Sequence, residues 1–161
     1  MNKLIWVSSA LIVGLGAGFF LSVGMQSEPA AEAAEVTVRH EYIDPVPSLR
    51  FTQVVSTTAN GVKTIHVSGQ IGTGETHEAQ TESACANLIA RLEKAGATES
   101  DVVMLNVYIK DLDADAVQGV KAGKDKVFTA EQQPASTWVG VTALVAPRAL
   151  VEIEAVAIIA E

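Results

Sequence analysis

The stretch ALVEIEAVAII, residues 149–159, decides the fold class of this 161-residue chain. Its odd positions from Val151 to Ile159 are all apolar, whereas its even positions mix two glutamates with apolar residues. This alternation predicts a β-strand whose side chains point to opposite faces of a sheet. A face that met only water would be polar throughout, so we expect the even face to be covered, most simply by a second subunit. An ordinary edge strand with a few exposed apolar residues is the alternative.

The segments upstream complete a mixed α+β pattern. Helical periodicity predicts helices at 76–95, which ends before Gly96, and at 113–128. The expected order is β-β-α-β-α-β-β, which gives one mixed sheet with both helices on one face. A turn is expected at Asn60-Gly61. The first strand is expected at 35–43, with an extended pattern that resumes at about 51–56 after two prolines; the other strands before the last one are expected at 62–72, 101–112 and 136–145.

The first 25 residues form a separate apolar region. Leu4–Met25 carries no charge, and a helix of that length would cross about 30 Å of hydrocarbon. The Ala- and Glu-rich composition of residues 26–35 predicts a linker. This linker contains an Ala-Glu-Ala site of the kind that signal peptidases cut. An uncleaved signal anchor and a cleaved signal peptide both fit this pattern. In either case we expect the globular domain, residues 36–161, to be exported, either periplasmic or membrane-anchored outside the cytoplasm.

Composition disfavours several classes of partner and cofactor. The net charge is −8, whereas phosphate backbones are bound by clusters of Lys and Arg, so we expect no nucleic-acid partner. Cys85 is the only cysteine; it lies on the apolar side of the first predicted helix, which favours a packed core thiol over a nucleophile. The three histidines show no paired ligand spacing. We therefore predict neither a metal nor another cofactor.

Six segments extend over nearly the whole globular domain; in chain order they are FTQVV, HVSGQIG, ESACANLIARLEKAGA, DVVMLNVYIKDL, PASTWVGV and VEIEAVAI. Taken together, they resemble the Rid family, the reactive-intermediate deaminases. These are also called YjgF-like proteins and are often labelled ribonucleases. The resemblance implies a chorismate-mutase-like fold and a homotrimer whose three sheets pack into a central barrel.

The resemblance also implies a chemistry. Active members hydrolyse 2-imino and 2-enamino acids to 2-keto acids and ammonia in a cleft between adjacent subunits. An arginine in a P-A-R-S/T motif binds the substrate carboxylate, for which a planar guanidinium with two parallel hydrogen bonds is well suited. A glutamate on the last strand helps to place the attacking water.

Only part of that site carries over to this sequence. Glu152, the first acid of VEIEA, matches the family glutamate and is the expected catalytic residue. Ser68, Gly69 and Gln70 match the S-G-Q turn that borders the substrate cleft. Phe51 stands where the family has a tyrosine, so the phenol hydroxyl is missing.

The largest departure lies in PASTW, residues 134–138. Ser136 stands where the family has its arginine, Thr137 keeps the hydroxyl position, and Trp138 follows where the family often has a smaller residue. A serine cannot form a bidentate ion pair, and losing a hydrogen bond to a charged group costs about 1.5–3 kcal/mol. Arg148, in the loop before the last strand, is the first candidate for a replacement cation, and Arg50 is the second.

Two main hypotheses about function follow. The first is an imine or enamine deaminase with altered substrate preference that acts through Glu152. The second is a non-catalytic trimer that binds a small metabolite and is tethered to, or exported across, the membrane. In that case Glu152 is a solvated or interface acid beside Glu154. A purely structural trimer and a ribonuclease rank lower, the latter because of the acidic charge.

Overall fold

A mixed six-stranded sheet and two α-helices make up the described part of the chain, residues 36–128 and 133–161 of a computed structural model. The strands occur in the order β1-β2-β3-β6-β4-β5 across the sheet, and all neighbours are antiparallel except β4 and β5. This arrangement confirms the predicted α+β mixed sheet. The elements are β1 (Val38–Val46), β2 (Phe51–Ala59), β3 (Val62–Ile71), α1 (His77–Lys94), β4 (Val102–Lys110), α2 (Ala114–Asp125), β5 (Ala135–Val141) and β6 (Val151–Ala160).

Three strands precede the first helix, whereas the expected order has two. The prolines after residue 43 suggest an interruption in the sequence, but β1 continues through Pro45 to Val46. A proline is tolerated there because β1 is an edge strand, whose outward-facing N–H groups have no strand partner to bond. The extended run near residue 51 therefore becomes the start of a separate strand, β2. The Asn60-Gly61 turn that joins β2 to β3 is as expected, with φ of 52° and 73°.

The hydrophobic core lies between the helices and one face of the sheet. The odd positions of β6 from Val151 to Ala157 are at most 4% exposed, as the alternation predicts. Cys85 of α1 is fully buried in the same cluster, and burial raises the pKa of its thiol to about 12. Because the thiolate is the reactive form of cysteine, the core interpretation of Cys85 holds.

The opposite face of the sheet is open in the single chain. On β6, Glu152, Glu154 and Val156 are half-buried, and Ile158 is 44% exposed. The face mixes carboxylates with apolar side chains, as the even positions of the stretch indicate. That a second subunit covers this face, and that the protein is a homotrimer, remain predictions.

The N-terminal predictions fall on residues that the structure does not describe. The signal anchor or signal peptide at 1–25 and the linker at 26–35 both lie outside residues 36–128 and 133–161. Within those two ranges, no helix is long and apolar enough to cross a membrane.

Candidate functional site

A cleft of about 680 Å³ opens on the sheet beside the irregularity in β3. Five of the predicted site residues line it together: Phe51, Ser68, Gly69, Gln70 and Glu152. They come from three adjacent strands, β2, β3 and β6. The sequence separates these residues by as much as a hundred positions, so the strand order is what brings them together.

A β-bulge shapes the floor of the cleft. Val67 pairs with Ala155 and Gln70 with Ile153, so β3 has one residue more than β6 in this interval. A Cβ on Gly69 would overlap the side chain of Glu152, whose carboxyl group occupies that space. A larger residue at position 69 would therefore force the Glu152 carboxyl group to shift.

The residues around the bulge are fixed by side-chain hydrogen bonds. The Ser68 hydroxyl donates to the carbonyl oxygen of Thr52 at 2.7 Å. The buried Gln70 amide donates to Gln53 Oε1 and to the Ser68 carbonyl oxygen, both at 2.8 Å. Gln53 is the third residue of the FTQVV segment, and sequence reasoning did not single it out. These bonds fix the side chains of Ser68 and Gln70 along one wall of the cleft.

Glu152 is the acidic group of the cleft. Its carboxyl group accepts no hydrogen bond from any of the described residues, although it is half-buried. Burial raises the pKa of Glu152, and the neighbouring negative charge of Glu154 raises it further. A carboxylate in this condition is more basic than usual and has lone pairs available for water or ligand.

Glu154, two residues further along β6, has the opposite environment. Its Oε1 accepts hydrogen bonds from Asn106 Nδ2 at 2.8 Å and from the Tyr108 hydroxyl at 3.1 Å. The bond to Glu154, followed by burial and the charges of both glutamates, raises the pKa of Tyr108. Sequence reasoning missed Asn106 and Tyr108, although their even positions in DVVMLNVYIKDL place them on the face that carries the glutamates.

Comparison with known proteins gives the family. A family model described as endoribonuclease L-PSP matches residues 43–159. The chain belongs to this family. Its resemblance to the Rid or YjgF-like proteins, as read from the six segments, is thereby confirmed. A search of curated proteins gives no significant match.

Solved structures of L-PSP relatives share the fold. A YjgF family member from Mycobacterium tuberculosis is 28% identical, covering 75% of this chain and 100% of that one, with a TM-score of 0.64. A Rid family protein from Yersinia pestis is 29% identical, covering 66% of this chain and 86% of that one, with a TM-score of 0.56. A YjgF family protein from Neisseria meningitidis, 24% identical, has the same fold with a TM-score of 0.64, covering 76% and 97%.

Ser136, which stands at the arginine position of the P-A-R-S/T motif, lies away from the cleft of its own chain. Ser136 is on the edge strand β5, in the row of Leu105 and Ala155, three positions along the sheet from the row of Glu152. At about 3.3 Å per residue this is roughly 10 Å, in addition to two strand spacings. Ser136 and the cleft glutamate are therefore not brought together by one copy of the chain.

The neighbours of Ser136 face the helix side of the sheet or solvent. The Trp138 indole N–H donates to the Ser136 hydroxyl oxygen at 2.8 Å. Trp138 packs against the core, with Lys124 Nζ 5.7 Å from its ring centroid. Thr137 is exposed on β5. None of the three lines the Glu152 cleft.

Neither candidate for a replacement cation lines the cleft. Arg148 lies in a separate depression of about 370 Å³, together with Lys110 and Gln80. Arg50 precedes Phe51 but is not part of the cleft wall either. Among the described residues that line the cleft, none is Lys or Arg, so its charge comes from a carboxylate alone.

The described residues hold no cluster that suits a metal ion. In the two described ranges, no three His, Cys, Asp or Glu side chains are grouped closely enough to ligate one.

Proposed function

We propose that this protein binds a small imine or enamine in the cleft at Gly69 and hydrolyses it. The observation that carries the proposal is the Glu152 carboxyl group, which lies against Gly69 without a hydrogen bond from the described residues. The cleft of about 680 Å³ falls within the range of roughly 300–1,000 Å³ that is typical of small-molecule sites. Membership of the Rid family supports the same class of reaction.

Glu152 acts in this proposal as a general base and then as a general acid. A water molecule gives one proton to the carboxylate while its oxygen bonds to the imine carbon, and the carboxyl group returns that proton to the nitrogen. The resulting carbinolamine collapses when its hydroxyl proton passes through the same carboxyl group to the nitrogen. The C–N bond then breaks, and a carbonyl compound and an amine or ammonia leave. An enamine first takes a proton on carbon from the carboxyl group and gives an N–H proton back to the carboxylate, which converts it to the imine.

The raised pKa of Glu152 supports this role. Burial, and then the charge of Glu154, makes the carboxylate a better proton acceptor than an exposed glutamate. General acid–base catalysis is most efficient when the pKa of the group lies near the working pH. The shift is upward, and it therefore brings the pKa of the Glu152 carboxyl group closer to neutral pH.

The lining of the cleft favours a neutral or cationic substrate. Phe51, Ile71 and Val145 provide apolar walls, and no cation faces the carboxylate of Glu152 among the described residues. A substrate carboxylate would meet a negative charge there, with Ser136 in the position of the family arginine. An imine that lacks a carboxylate needs no such partner.

A homotrimer would complete the site. Within one chain Ser136 is roughly 10 Å and two strands away from the row of Glu152, so a second copy is needed if both are to contact one ligand. The open face of β6, with its apolar Val156 and Ile158, is the surface that the neighbouring sheets would cover. Sedimentation of the full-length protein at three times the chain mass supports this arrangement, and a monomer contradicts it.

The direct test is a coupled assay in which an amine or amino-acid oxidase generates the imine and carbonyl release is followed in time. We expect the protein to accelerate the release from carboxylate-free imines more than from 2-imino acids. Glu152→Gln should abolish the acceleration, while Glu93→Gln, an equal change of charge on an exposed position of α1, should not. Ser136→Arg should shift the preference toward 2-imino acids.

Two results would count against turnover at this site. One is a wild-type protein that accelerates neither class of imine. The other is a Glu152→Gln variant as active as the wild type, which would remove the glutamate from the mechanism.

Binding without turnover is the alternative, and the composition of the site motivates it. Ser136 lacks the guanidinium group, and Phe51 lacks the phenol hydroxyl, that the family pattern has at these positions. A ligand that raises the thermal midpoint of the wild type but is recovered unchanged would favour this alternative. Loss of the thermal shift in Ala146→Trp, which adds bulk to the cleft wall, would indicate that the ligand binds there.

We also propose that the domain acts outside the cytoplasm and does not cleave RNA. The uncharged segment Leu4–Met25 supports export, and the net charge of −8 disfavours binding to phosphate backbones. Cell fractionation with and without detergent tests the first statement and separates anchor from cleaved signal. Incubation with single-stranded RNA tests the second, and cleavage that Glu152→Gln abolishes would overturn it.

A further inference from the structure

Two glutamates two residues apart on the open face of β6 turn their carboxyl groups in opposite directions. Glu152 lies against Gly69 of β3. Glu154 instead accepts hydrogen bonds from Asn106 and Tyr108, which both belong to β4, the strand on the other side of β6. The two carboxylates therefore occupy different environments although they share one face of one strand.

Tyr108 connects the two positions. Its backbone pairs in register with Glu152, but its hydroxyl donates to Glu154 at 3.1 Å, so the side chain lies diagonally across the face. Asn106 pairs in register with Glu154 and donates to the same oxygen at 2.8 Å. Two donors thus fix Glu154 on the β4 side and leave the β3 side to Glu152.

We propose that Glu154 is a positioning residue for Glu152. Two donors hold the Glu154 carboxyl group on the β4 side, and its negative charge turns the Glu152 carboxyl group toward Gly69 and the cleft. The same charge makes Glu152 hold a proton more readily. The effect on turnover rests on the proposed function, whereas the electrostatic arrangement itself does not.

The physical basis is that neighbouring carboxylates in unlike surroundings separate their proton affinities. Hydrogen bonds to a carboxylate favour its charged form, while burial and a nearby negative charge favour the neutral form. Two carboxyl groups in such different environments hold their protons with different strength. The raised pKa of Glu152, with Glu154 as the second cause after burial, is in the direction that this argument requires.

The other titratable groups near this face do not pair with the two carboxylates. His66 of β3 lines a groove beside Glu154. Lys110, at the end of β4, lies in the depression that contains Arg148. In residues 36–128 and 133–161, no lysine or arginine forms an ion pair with either glutamate of β6 discussed above.

The test is a titration of the glutamate carboxyl groups by NMR in the full-length protein labelled with ¹³C at those carbons. Glu152→Gln identifies the Glu152 resonance by its disappearance. In Glu154→Gln we expect the pKa of Glu152 to fall, because the neighbouring charge is removed while the side-chain shape is kept. Tyr108→Phe removes one of the two donors that hold the Glu154 carboxyl group on the β4 side, so we expect the pKa of Glu152 to change in this variant as well.

The matched control is Glu93→Gln on the exposed side of α1, which changes the net charge equally. It should leave the Glu152 resonance where it is. A Glu152 pKa that stays unchanged in a folded Glu154→Gln variant overturns the proposal. If that variant does not fold, a Glu152 pKa that stays unchanged in Tyr108→Phe overturns it instead, because the donors to Glu154 then have no influence on Glu152.

A kinetic measurement extends the test to turnover. In Glu154→Gln the acid limb of the kcat/KM profile should move to lower pH, whereas in Glu93→Gln it should not move. A uniform loss of rate without a shift of the limb would indicate a merely structural role and contradict the proposal. If the wild type hydrolyses no imine, the proposed function fails, but the NMR titration still decides the role of Glu154.

Discussion

Replacing Gly69 by alanine tests whether the missing side chain at this position leaves the space that the Glu152 carboxyl group occupies. A Cβ at position 69 would meet three atoms of the Glu152 side chain as its nearest neighbours, all closer than van der Waals contact. The backbone of Gly69 does not have positive φ, so alanine adds no backbone strain. The whole effect of Gly69→Ala should therefore come from pushing the carboxyl group aside.

The magnitude follows from the kind of atoms that must move. Forcing a side chain off its rotamer costs about 0.5–1.5 kcal/mol, and adding a methyl group to a filled space costs about 1–3 kcal/mol. Because the displaced group is the end of a half-buried side chain, we expect a loss of about 1–2 kcal/mol in the free energy of unfolding. A misplacement of about 1 Å can cost about a hundredfold in rate, so turnover should fall more sharply than stability.

A double-mutant cycle isolates the cause. Glu152→Ala removes the three atoms in question, so Gly69→Ala should become nearly neutral in that background, with a coupling of about 1–2 kcal/mol in urea unfolding. Gly140→Ala on β5 is the control, since its Cβ would meet Leu112 at 2.9 Å, and its cost should be the same in both backgrounds. An equal cost of Gly69→Ala with and without the Glu152 side chain would refute the reasoning.

Three further predictions concern stability and reactivity. The folded pKa of Glu152 is raised, so the folded form binds its proton more tightly than the unfolded chain, and stability is lost as the pH rises above the ordinary range of glutamate. Glu152→Gln should therefore unfold at higher urea than the wild type at pH 7.5 but not at pH 4, and a gain that is equal at both values would speak against a raised pKa. Leu88 is fully buried, so Leu88→Ala should cost about 2–5 kcal/mol in urea unfolding. The same change at Leu49, which is 69% exposed, should cost less than about 1 kcal/mol, and comparable losses at the two sites would contradict the core assignment. The buried Cys85 thiol, with a pKa of about 12, should react with a disulfide reagent far more slowly in the native protein than in urea; equal rates would show that the thiol is accessible.

Most elements could be predicted from local patterns. The helix at 76–95 is found as His77–Lys94, with Thr76 accepting a hydrogen bond from the backbone N–H of Ala79 and Gly96 at positive φ just beyond its end. The buried odd face of β6 follows from alternation alone, because side-chain direction in a strand has a period of two. The element that was missed is the separate strand β2, because the edge position that lets β1 continue through Pro45 is revealed only by the strand order.

The candidate site could be predicted only in part. The family motifs named Ser68, Gly69, Gln70, Phe51 and Glu152, and the structure brings them into one cleft. Spacing along the chain could not predict that Ser136 would lie across the sheet from them. The register between strands that are distant in sequence is fixed by long-range pairing, which local propensity does not encode.

By itself, the sequence determined the fold class, the two faces of the last strand, the core position of Cys85 and the family. The strand faces and the position of Cys85 depend on periodicity within one segment, and the fold class and the family depend on the order of such segments along the chain. Only the tertiary structure decided which way the two glutamates of that strand point. The bulge at Gly69 opens space for the first, and Asn106 and Tyr108 on the neighbouring strand bind the second. Two carboxylates that are equivalent in the alternating pattern become different because the strands on either side of them are different.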